Sequence, residues 1–161
     1  MTIQPKCGEK DRTFSTQRGH MNFIIKPMRP SHYQQVYALW NSIEGMDLHA
    51  VDDNPTAIAA FLDFNPDLNY IAEADGKVVG VVMCGFDGRR ATIYHAAVAT
   101  AYRGCGIATA LLERVEKVLK AKNITKGRLL AFKSNEAAAV FWQKAGWTLH
   151  NRFNYFSKSL L

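Results

Sequence analysis

The stretch Val98-Ala99-Thr100-Ala101-Tyr102-Arg103-Gly104-Cys105-Gly106-Ile107-Ala108 lies between a predicted β-strand and a predicted long helix. A glycine-containing turn that opens a helix presents unpaired backbone N–H groups and the positive end of the helix dipole, which together bind phosphate. Gly104 and Gly106 carry no side chain, so an anion can approach their backbone closely, and Arg103 adds positive charge. The stretch therefore predicts a phosphate-binding loop inside a mixed α/β domain.

Three phosphate-binding patterns can be compared with this loop. The Walker loop requires a lysine after its last glycine, and none is present here. The dinucleotide-binding fingerprint has Gly or Ala where Thr109 stands, and it belongs to a βαβ unit that opens the chain rather than to a loop after an antiparallel meander. The third pattern fits: Arg103, Gly106 and Ala108 resemble the [RQ]-x-x-G-x-[GA] pyrophosphate loop of the GNAT superfamily of N-acetyltransferases.

A second motif lies near the C-terminus, where residues 135–147 read N-E-A-A-A-V-F-W-Q-K-A-G-W. This stretch resembles the N-x-x-A-x-x-[FL]-Y-x-x-x-G-[FY] helix of the same family, with Asn135 in the first position and Trp142 in place of the usual Tyr. Residues 85–98 also resemble a bacterial subgroup of the family. From these resemblances the chain is identified as a member of the GNAT superfamily.

Hydrophobic periodicity and turn residues predict the remaining elements. Ser31 and Gln34 form a capping-box pair that begins a helix ending at Gly45, and Asn54 is the predicted N-cap of a second helix that runs to about Phe64. Predicted strands span residues 22–26, 70–74, 77–84, 92–98 and 128–132, with one or two more in 147–157, and further helices span 106–122 and 135–145. The resemblance implies the GNAT fold, an α/β (α+β mixed) domain with a central, mostly antiparallel, splayed sheet flanked by about four helices.

The polar and unpatterned residues 1–20 predict a flexible N-terminal extension, and residues 21–161 form the predicted acetyltransferase domain. Met21 directly precedes the first apolar alternation and is predicted to be the native start. The aromatic strand predicted from Phe153 to Phe156 could pair with a second subunit in a homodimer.

Composition and charge narrow the classes of function. The 161 residues carry a formal net charge of +6 and a pI near 9.3. Residues 31–75 contain eight Asp or Glu and no Lys or Arg, whereas residues 76–161 contain fourteen Lys or Arg and four Asp or Glu. The basic residues are not interleaved with aromatic ones and no long apolar run occurs, so we expect neither nucleic-acid nor membrane partners. Three cysteines without C-x-x-C spacing and no H-E-x-x-H predict a cytoplasmic protein without a disulfide framework or a metal site.

The resemblance implies acetyl-CoA (coenzyme A) as the acetyl donor and implies which residues bind it. Backbone groups of Ala96, Ala97 and Val98 would pair with the pantetheine arm, and Asn135 would lie near that arm. The pyrophosphate would be held by backbone amides of Arg103, Gly104, Cys105, Gly106, Ile107 and Ala108. A neutral amine would attack the thioester directly in a ternary complex, with a backbone N–H near Val98 stabilising the oxyanion and no metal taking part.

The residues that transfer protons stay open at this point. Trp142 stands at the position of the usual Tyr acid, but an indole N–H does not titrate, so Trp142 is predicted to form a wall of the thioester pocket. Strand alternation would place Tyr94 on one face of its strand and His95 on the other. His95 is the candidate base because histidine normally exchanges a proton near neutral pH, with a hydrogen-bonded structural role as the alternative. Tyr94 and water are the candidate acids.

The acidic third of the chain lies where the family binds its acceptor. Glu44, Asp47, Asp52 and Asp53 are the candidate substrate-binding residues, and together they would recruit a cationic amine. Three functions remain: acetyl transfer to a small-molecule amine, acetyl transfer to a protein N-terminus or lysine, and acyl-CoA binding without catalysis. The third is suggested by Trp142 in place of the family's Tyr.

Overall fold

The computed structural model describes residues 21–160 and the two-residue strand Thr13–Phe14. The chain divides into two compact units, with the boundary between Leu130 and Ala131. Apart from Thr13–Phe14, the predicted flexible extension of residues 1–20 lies outside the described residues.

The described strands form one sheet whose spatial order follows the chain. Their bounds are β1 Thr13–Phe14, β2 Phe23–Pro27, β3 Tyr70–Ala74, β4 Lys77–Phe86, β5 Ala91–Val98 and β6 Gly127–Leu129. Neighbours from β1 to β5 are antiparallel, and β5 and β6 are parallel. The turns that join β3 to β4 and β4 to β5 contain Gly76 and Gly88, whose φ angles are +73° and +87°. The predicted mixed fold with a mostly antiparallel sheet is confirmed.

The helices of the first unit cover both faces of this sheet. Their bounds are α1 Tyr33–Asn41, α2 Pro55–Phe64 and α3 Ile107–Ala121, and the second unit contains α4 Glu136–Lys144. α1 packs on β4 and β5, where Val36 and Trp40 are fully buried. α3 packs on β3 and β4 from the opposite face. A Cβ added to Gly80 would lie 2.8 Å from Ile107 Cγ2, so this glycine allows α3 to approach the sheet closely.

The start of α1 differs from the prediction. Residues Pro30–His32 form a 3-10 turn that leads into α1, so Ser31 lies inside the turn and is not the N-cap. The backbone N of Arg29 donates to His32 Nδ1 at 3.0 Å, and the backbone N of His32 donates to the Arg29 carbonyl at 2.9 Å. Pro30 explains the earlier start, because its fixed φ suits the first helical position.

The C-terminal strands predicted for residues 147–157 are wrong, since residues 147–160 contain no strand. Aromatic and β-branched residues favour a strand only where cross-strand neighbours and a buried face are present. Phe153, Tyr155 and Phe156 are instead 66%, 71% and 86% exposed. The strand expected to pair with a second subunit is therefore absent, and the strand predicted at 128–132 is shortened to β6.

Asn54 holds the segment that leads into α2. Its Oδ1 accepts from the backbone N of Ala57 at 2.9 Å, and its Nδ2 donates to the carbonyls of Ala50 and Val51 at 3.1 and 2.8 Å. We expect Asn54→Ala to lower the free energy of unfolding by about 1–2 kcal/mol, because the helix cap and both loop bonds are lost. Asn54→Asp keeps the cap acceptor and should lose less. Urea unfolding measures both, and an Asn54→Ala variant as stable as the wild type would contradict this.

Candidate active site

The outer edge of β5 is open along its C-terminal half. β6 pairs only with residues 91–93, and no other described strand lies beside residues 94–98 on that side. On the inner side, the backbone N of Ala99 donates to a carbonyl of β4 at 2.8 Å. Because successive residues of an antiparallel strand direct their backbone groups to alternate sides, Ala97 faces β4 and Val98 faces the open edge. The backbone N–H and C=O of Val98 can therefore pair with an extended ligand. The backbone of Ala97 faces β4 and is not available for the predicted pairing with pantetheine.

The loop after β5 has the geometry expected of an anion site. Gly104 and Gly106 take left-handed φ angles of +77° and +81°. Gly106 is the N-cap of the fifteen-residue α3, and the first amides of a helix have no acceptor within the helix. A Cβ added to Gly104 would meet no atom within 4 Å, so the space beyond the loop is open. The backbone of the loop therefore fits a diphosphate group.

The other predicted loop residues lie around this backbone. Arg103 is exposed, and its Nε donates to the carbonyl of Val98 at 3.3 Å, which joins the loop to the open edge of β5. Cys105 is half-buried, with its Sγ 3.8 Å from the carbonyl of Arg103. Ile107 is buried and Ala108 is half-buried, so backbone amides are what these two residues offer to a ligand. The structure thus brings the predicted loop residues together at the start of α3.

A β-bulge in β5 overturns the predicted alternation of Tyr94 and His95. Val81 pairs with Ala97 and Met83 pairs with Tyr94, so one residue of β4 faces two residues of β5. His95 lies in this bulge with a φ angle of +32°, a conformation that costs a non-glycine residue about 1–3 kcal/mol. The bulge turns His95 to the same face as Tyr94.

The rings of both residues contact helices on that face. The His95 ring lies 4.9 Å from the Trp40 ring of α1, and the Tyr94 ring lies 5.6 Å from the Phe61 ring of α2 in an edge-on arrangement. Gly85 makes room for the second pair, since a Cβ there would lie 3.2 Å from each ring. Tyr94 and His95 therefore border one surface, on the side of the sheet covered by α1 and α2.

Asp53 and His95 form a close pair between the α1–α2 segment and β5. His95 Nε2 lies 2.7 Å from Asp53 Oδ1, and the other carboxylate oxygen accepts the backbone N of His49 at 2.8 Å. The Asp53 side chain is 5% exposed and that of His95 is 21% exposed. Asp53 is therefore a buried carboxylate with both oxygens engaged, and one edge of the imidazole still reaches solvent.

Neighbouring side chains hold this pair in place. Trp40 Nε1 donates to the backbone carbonyl of His95 at 3.2 Å, and the Tyr33 hydroxyl donates to the backbone carbonyl of Asp53 at 2.7 Å. Burial, together with Tyr37 and Asp53 nearby, raises the pKa of Tyr33, so its hydroxyl keeps the proton that it donates. Trp40 and Tyr33 were missed as site residues because their helical spacing indicates only a buried helix face.

The other three candidate acids differ from Asp53. Glu44, Asp47 and Asp52 are exposed, and Asp47 Oδ2 lies 3.4 Å from His49 Nε2. These three carboxylates reach solvent, whereas both oxygens of the buried Asp53 are already engaged by His49 and His95. The predicted cluster of four acids is thus a group of three exposed carboxylates and one buried partner of His95.

The second unit contains Asn135 and Trp142. Asn135 is the N-cap of α4, and its Oδ1 accepts from the backbone N of Ala138 at 3.0 Å. The Trp142 ring contacts Phe141 and Trp147 at 5.1 and 5.3 Å. Both residues have structural partners within their own unit, and their roles toward the cofactor stay predictions.

Two further features lie outside this arrangement. Burial raises the pKa of Cys84 to about 12, and a backbone hydrogen bond from Thr92 lowers it by a smaller amount. Because its pKa is raised, the thiol stays protonated and unreactive. An open cavity of about 350 Å³ is lined by Asp67 and Tyr70 and by the basic residues Arg114, Lys117 and Lys122 of α3 and its C-cap. No helix in the described part of the chain is long and apolar enough to cross a membrane.

Comparison with known proteins places this geometry in a family. Residues 33–147 match the acetyltransferase (GNAT) family. An acetyltransferase of Sodalis glossinidius is 33% identical over 137 residues, which cover 85% of this chain and 95% of that protein.

Two solved structures share the fold. Diaminobutyrate acetyltransferase from Paenibacillus lautus, in complex with L-2,4-diaminobutyric acid and coenzyme A, has a TM-score of 0.67 at 22% identity, covering 78% of this chain and 75% of that one. The ribosomal-protein-S18-alanine N-acetyltransferase of Escherichia coli has a TM-score of 0.68 at 19% identity, covering 85% of each chain.

The family match extends over most of the chain and includes the β5 edge, the glycine loop and the α1–α2 segment. The resemblance of the two motifs is therefore confirmed, together with acetyl-CoA as the acetyl donor. The chain belongs to the GNAT family and is an acetyl-CoA-dependent N-acetyltransferase.

Proposed function

We propose that residues 21–161 transfer the acetyl group of acetyl-CoA to the primary amine of a small cationic molecule, by direct attack in a ternary complex, with His95 as the base. The observation that carries this proposal is the 2.7 Å pair of His95 Nε2 and Asp53 Oδ1 beside the open edge of β5. Acetyl-CoA supplies an acetyl thioester whose C–S bond is exchanged for the new C–N bond, with net release of one proton.

The β5 edge and the loop are proposed to hold the cofactor. Loop amides from Arg103 to Ala108, with the dipole of α3, favour a diphosphate at the helix start. The outward-facing N–H and C=O of Val98 can pair with an amide-containing arm as another strand would. The same Val98 N–H is the candidate donor to the carbonyl oxygen that gains negative charge.

His95 is proposed to take a proton from the substrate ammonium. His95 and Val98 are three positions apart on β5, so the base and the outward-facing backbone of Val98 belong to the same strand. Proton transfer through one water is within the normal reach of a general base. Tyr94, which is 45% exposed on the same face, is left as the candidate acid.

The charge of the α1–α2 segment supports a cationic acceptor. Residues 31–75 contain no Lys or Arg, and Glu44, Asp47 and Asp52 are exposed there. An acidic surface beside a site raises the local concentration of a cationic substrate and speeds its association. The solved relatives do not choose between acceptors, because one is named for a small diamine and the other for a protein alanine.

We expect the double variant Asp47→Asn/Asp52→Asn to raise the KM for a cationic amine about three- to tenfold, with little change in kcat. Each exposed carboxylate contributes only a few tenths to about 1 kcal/mol to attraction of a cation. The increase should shrink as ionic strength rises, because salt screens exposed charges. Steady-state kinetics at low and high salt measure this, and an unchanged KM at low salt would refute recruitment by these acids.

A thiol-release assay with acetyl-CoA tests the proposed function against its alternatives. The acceptor panel should contain small diamines, neutral amines, and peptides with free N-termini or lysines. Turnover on small cationic amines supports the proposal, and turnover on peptides alone supports the protein acetyltransferase. Binding of acetyl-CoA without turnover on any acceptor would favour a non-catalytic acyl-CoA-binding module.

Location and assembly are proposals of the same kind. The free thiols of Cys84 and Cys105 suit the reducing cytoplasm, which we propose as the location. A homodimer through the exposed aromatic residues Phe153 and Phe156 is proposed, and light scattering of the purified chain tests it.

A further inference from the structure

We infer that Asp53 is a positioning residue for catalysis, which fixes the proton of His95 on Nε2 and thereby leaves Nδ1 as the atom that accepts the substrate proton. The inference rests on the proposed function, because it assumes that His95 is the base. It gives Asp53 a role other than the recruitment of substrate expected from its acidic sequence context.

The geometry of the carboxylate determines which imidazole nitrogen carries hydrogen. An ionised carboxylate only accepts hydrogen bonds, so at 2.7 Å from Asp53 Oδ1 the Nε2 atom of His95 must be the donor. In a neutral imidazole the other nitrogen then carries a lone pair. No described residue is hydrogen-bonded to His95 Nδ1, and the side chain is 21% exposed. The lone pair is therefore available to a substrate or a water.

Asp53 itself has little freedom to move. Its second oxygen accepts the backbone N of His49 at 2.8 Å, and its own backbone N donates to the His49 carbonyl at 2.8 Å. Tyr33 binds its carbonyl. A carboxylate clamped on this side can face His95 with Oδ1 alone, so the imidazole cannot rotate without losing its bond.

The pair also suits the charge that forms during proton transfer. The proton passes from the ammonium nitrogen to Nδ1, directly or through one water, and later leaves to solvent. While the imidazolium exists, its positive charge lies beside the buried Asp53 carboxylate, which stabilises it. The other two partners of Asp53 contribute no charge through their contacts. His49 donates its backbone N–H, and Tyr33 donates a neutral hydroxyl.

Asp53→Asn is the variant that separates this role from a structural one. An Asn side chain has one acceptor oxygen, but two donors face it, the His49 N–H and the His95 Nε2–H. If the Asn oxygen keeps His49, its NH₂ group faces Nε2, and His95 must carry its proton on Nδ1 instead. Volume and shape are nearly unchanged, while the base loses its lone pair at the substrate side.

The first test is the tautomer of His95 in the wild-type protein. Long-range ¹H–¹⁵N spectra of the ¹⁵N-histidine-labelled full chain, with the signal assigned through His95→Gln, report which nitrogen carries hydrogen. We expect the neutral ring to carry its hydrogen on Nε2 in the wild type and on Nδ1 in Asp53→Asn. A neutral wild-type ring with its hydrogen on Nδ1 would overturn the inference. The spectra need no acceptor, so the tautomer is measured separately from turnover.

The second test is kinetic, with Asp63→Asn as the control because Asp63 is an exposed carboxylate on α2 outside the site. We expect Asp53→Asn to lower kcat at least thirtyfold with a KM for the amine within about threefold of wild type. Asp63→Asn should match the wild type. A normal kcat in a folded Asp53→Asn variant, or a rise in its KM alone, would overturn the positioning role. If kcat falls in His95→Gln but not in Asp53→Asn, His95 is still the base but Asp53 does not position it.

Discussion

Replacing His95 with glutamine is expected to lower kcat by about a hundred- to a thousandfold, the usual contribution of a positioned general base. Glutamine is of similar length, and its NH₂ group can still donate to Asp53 Oδ1, so the buried carboxylate keeps a partner. What the variant cannot do is accept a proton from the substrate.

The matched control for this variant is His32→Gln. His32 lies in the 3-10 turn before α1 and accepts the backbone N of Arg29, a bond that a glutamine oxygen can replace. We expect kcat near the wild-type value for this control, with both variants folded as judged by circular dichroism. If His95→Gln retains wild-type kcat, the base is another group, and the Asp53 pair is structural.

Replacing Gly104 with alanine is expected to weaken binding of coenzyme A by about ten- to a hundredfold. Loss of one charge-assisted hydrogen bond costs about 1.5–3 kcal/mol, and each 1.4 kcal/mol corresponds to a factor of ten. The methyl group would meet no protein atom within 4 Å, so it projects into the open space where the diphosphate is proposed to lie. The φ angle of +77° at position 104 also imposes a strain on any residue other than glycine.

Gly76→Ala separates the strain from the steric block. Gly76 has a similar φ of +73°, has equally open surroundings, and lies in the turn between β3 and β4. We expect both variants to lose about 1–2 kcal/mol of unfolding free energy, and only Gly104→Ala to bind coenzyme A weakly in calorimetric titrations. Equal affinity in the two variants would show that the loop backbone does not contact the cofactor.

The glycine loop and most of the fold could be predicted because their signals are local. Gly104 and Gly106 mark backbone conformations that other residues avoid, and Asn54 with Pro55 marks a helix start whose cap the structure confirms. Hydrophobic period likewise predicts β3 with its observed bounds. Ser31 misled the prediction of α1, since the adjacent Pro30 starts a helical turn earlier than the capping pair suggests.

The arrangement of the site could not be predicted because it depends on contacts between distant residues. Strict alternation puts Tyr94 and His95 on opposite faces, and only the register of β4 against β5 reveals the bulge that brings them together. Asp53 lies 42 positions from His95 and is one of eight acids in its segment, so its sequence context gives no sign of burial. Both facts belong to tertiary structure.

Titration of the ¹⁵N-labelled protein with coenzyme A, followed through its backbone amide spectrum, tests most directly whether the β5 edge and the loop bind the cofactor. The account predicts the largest shifts at the amides of Val98 and of residues 104–109, with smaller shifts near His95. The open cavity lined by Lys117 and Lys122 offers positive charge without the amides of a helix start. Largest shifts around that cavity, with the amides of Val98 and the loop unmoved, would contradict the account.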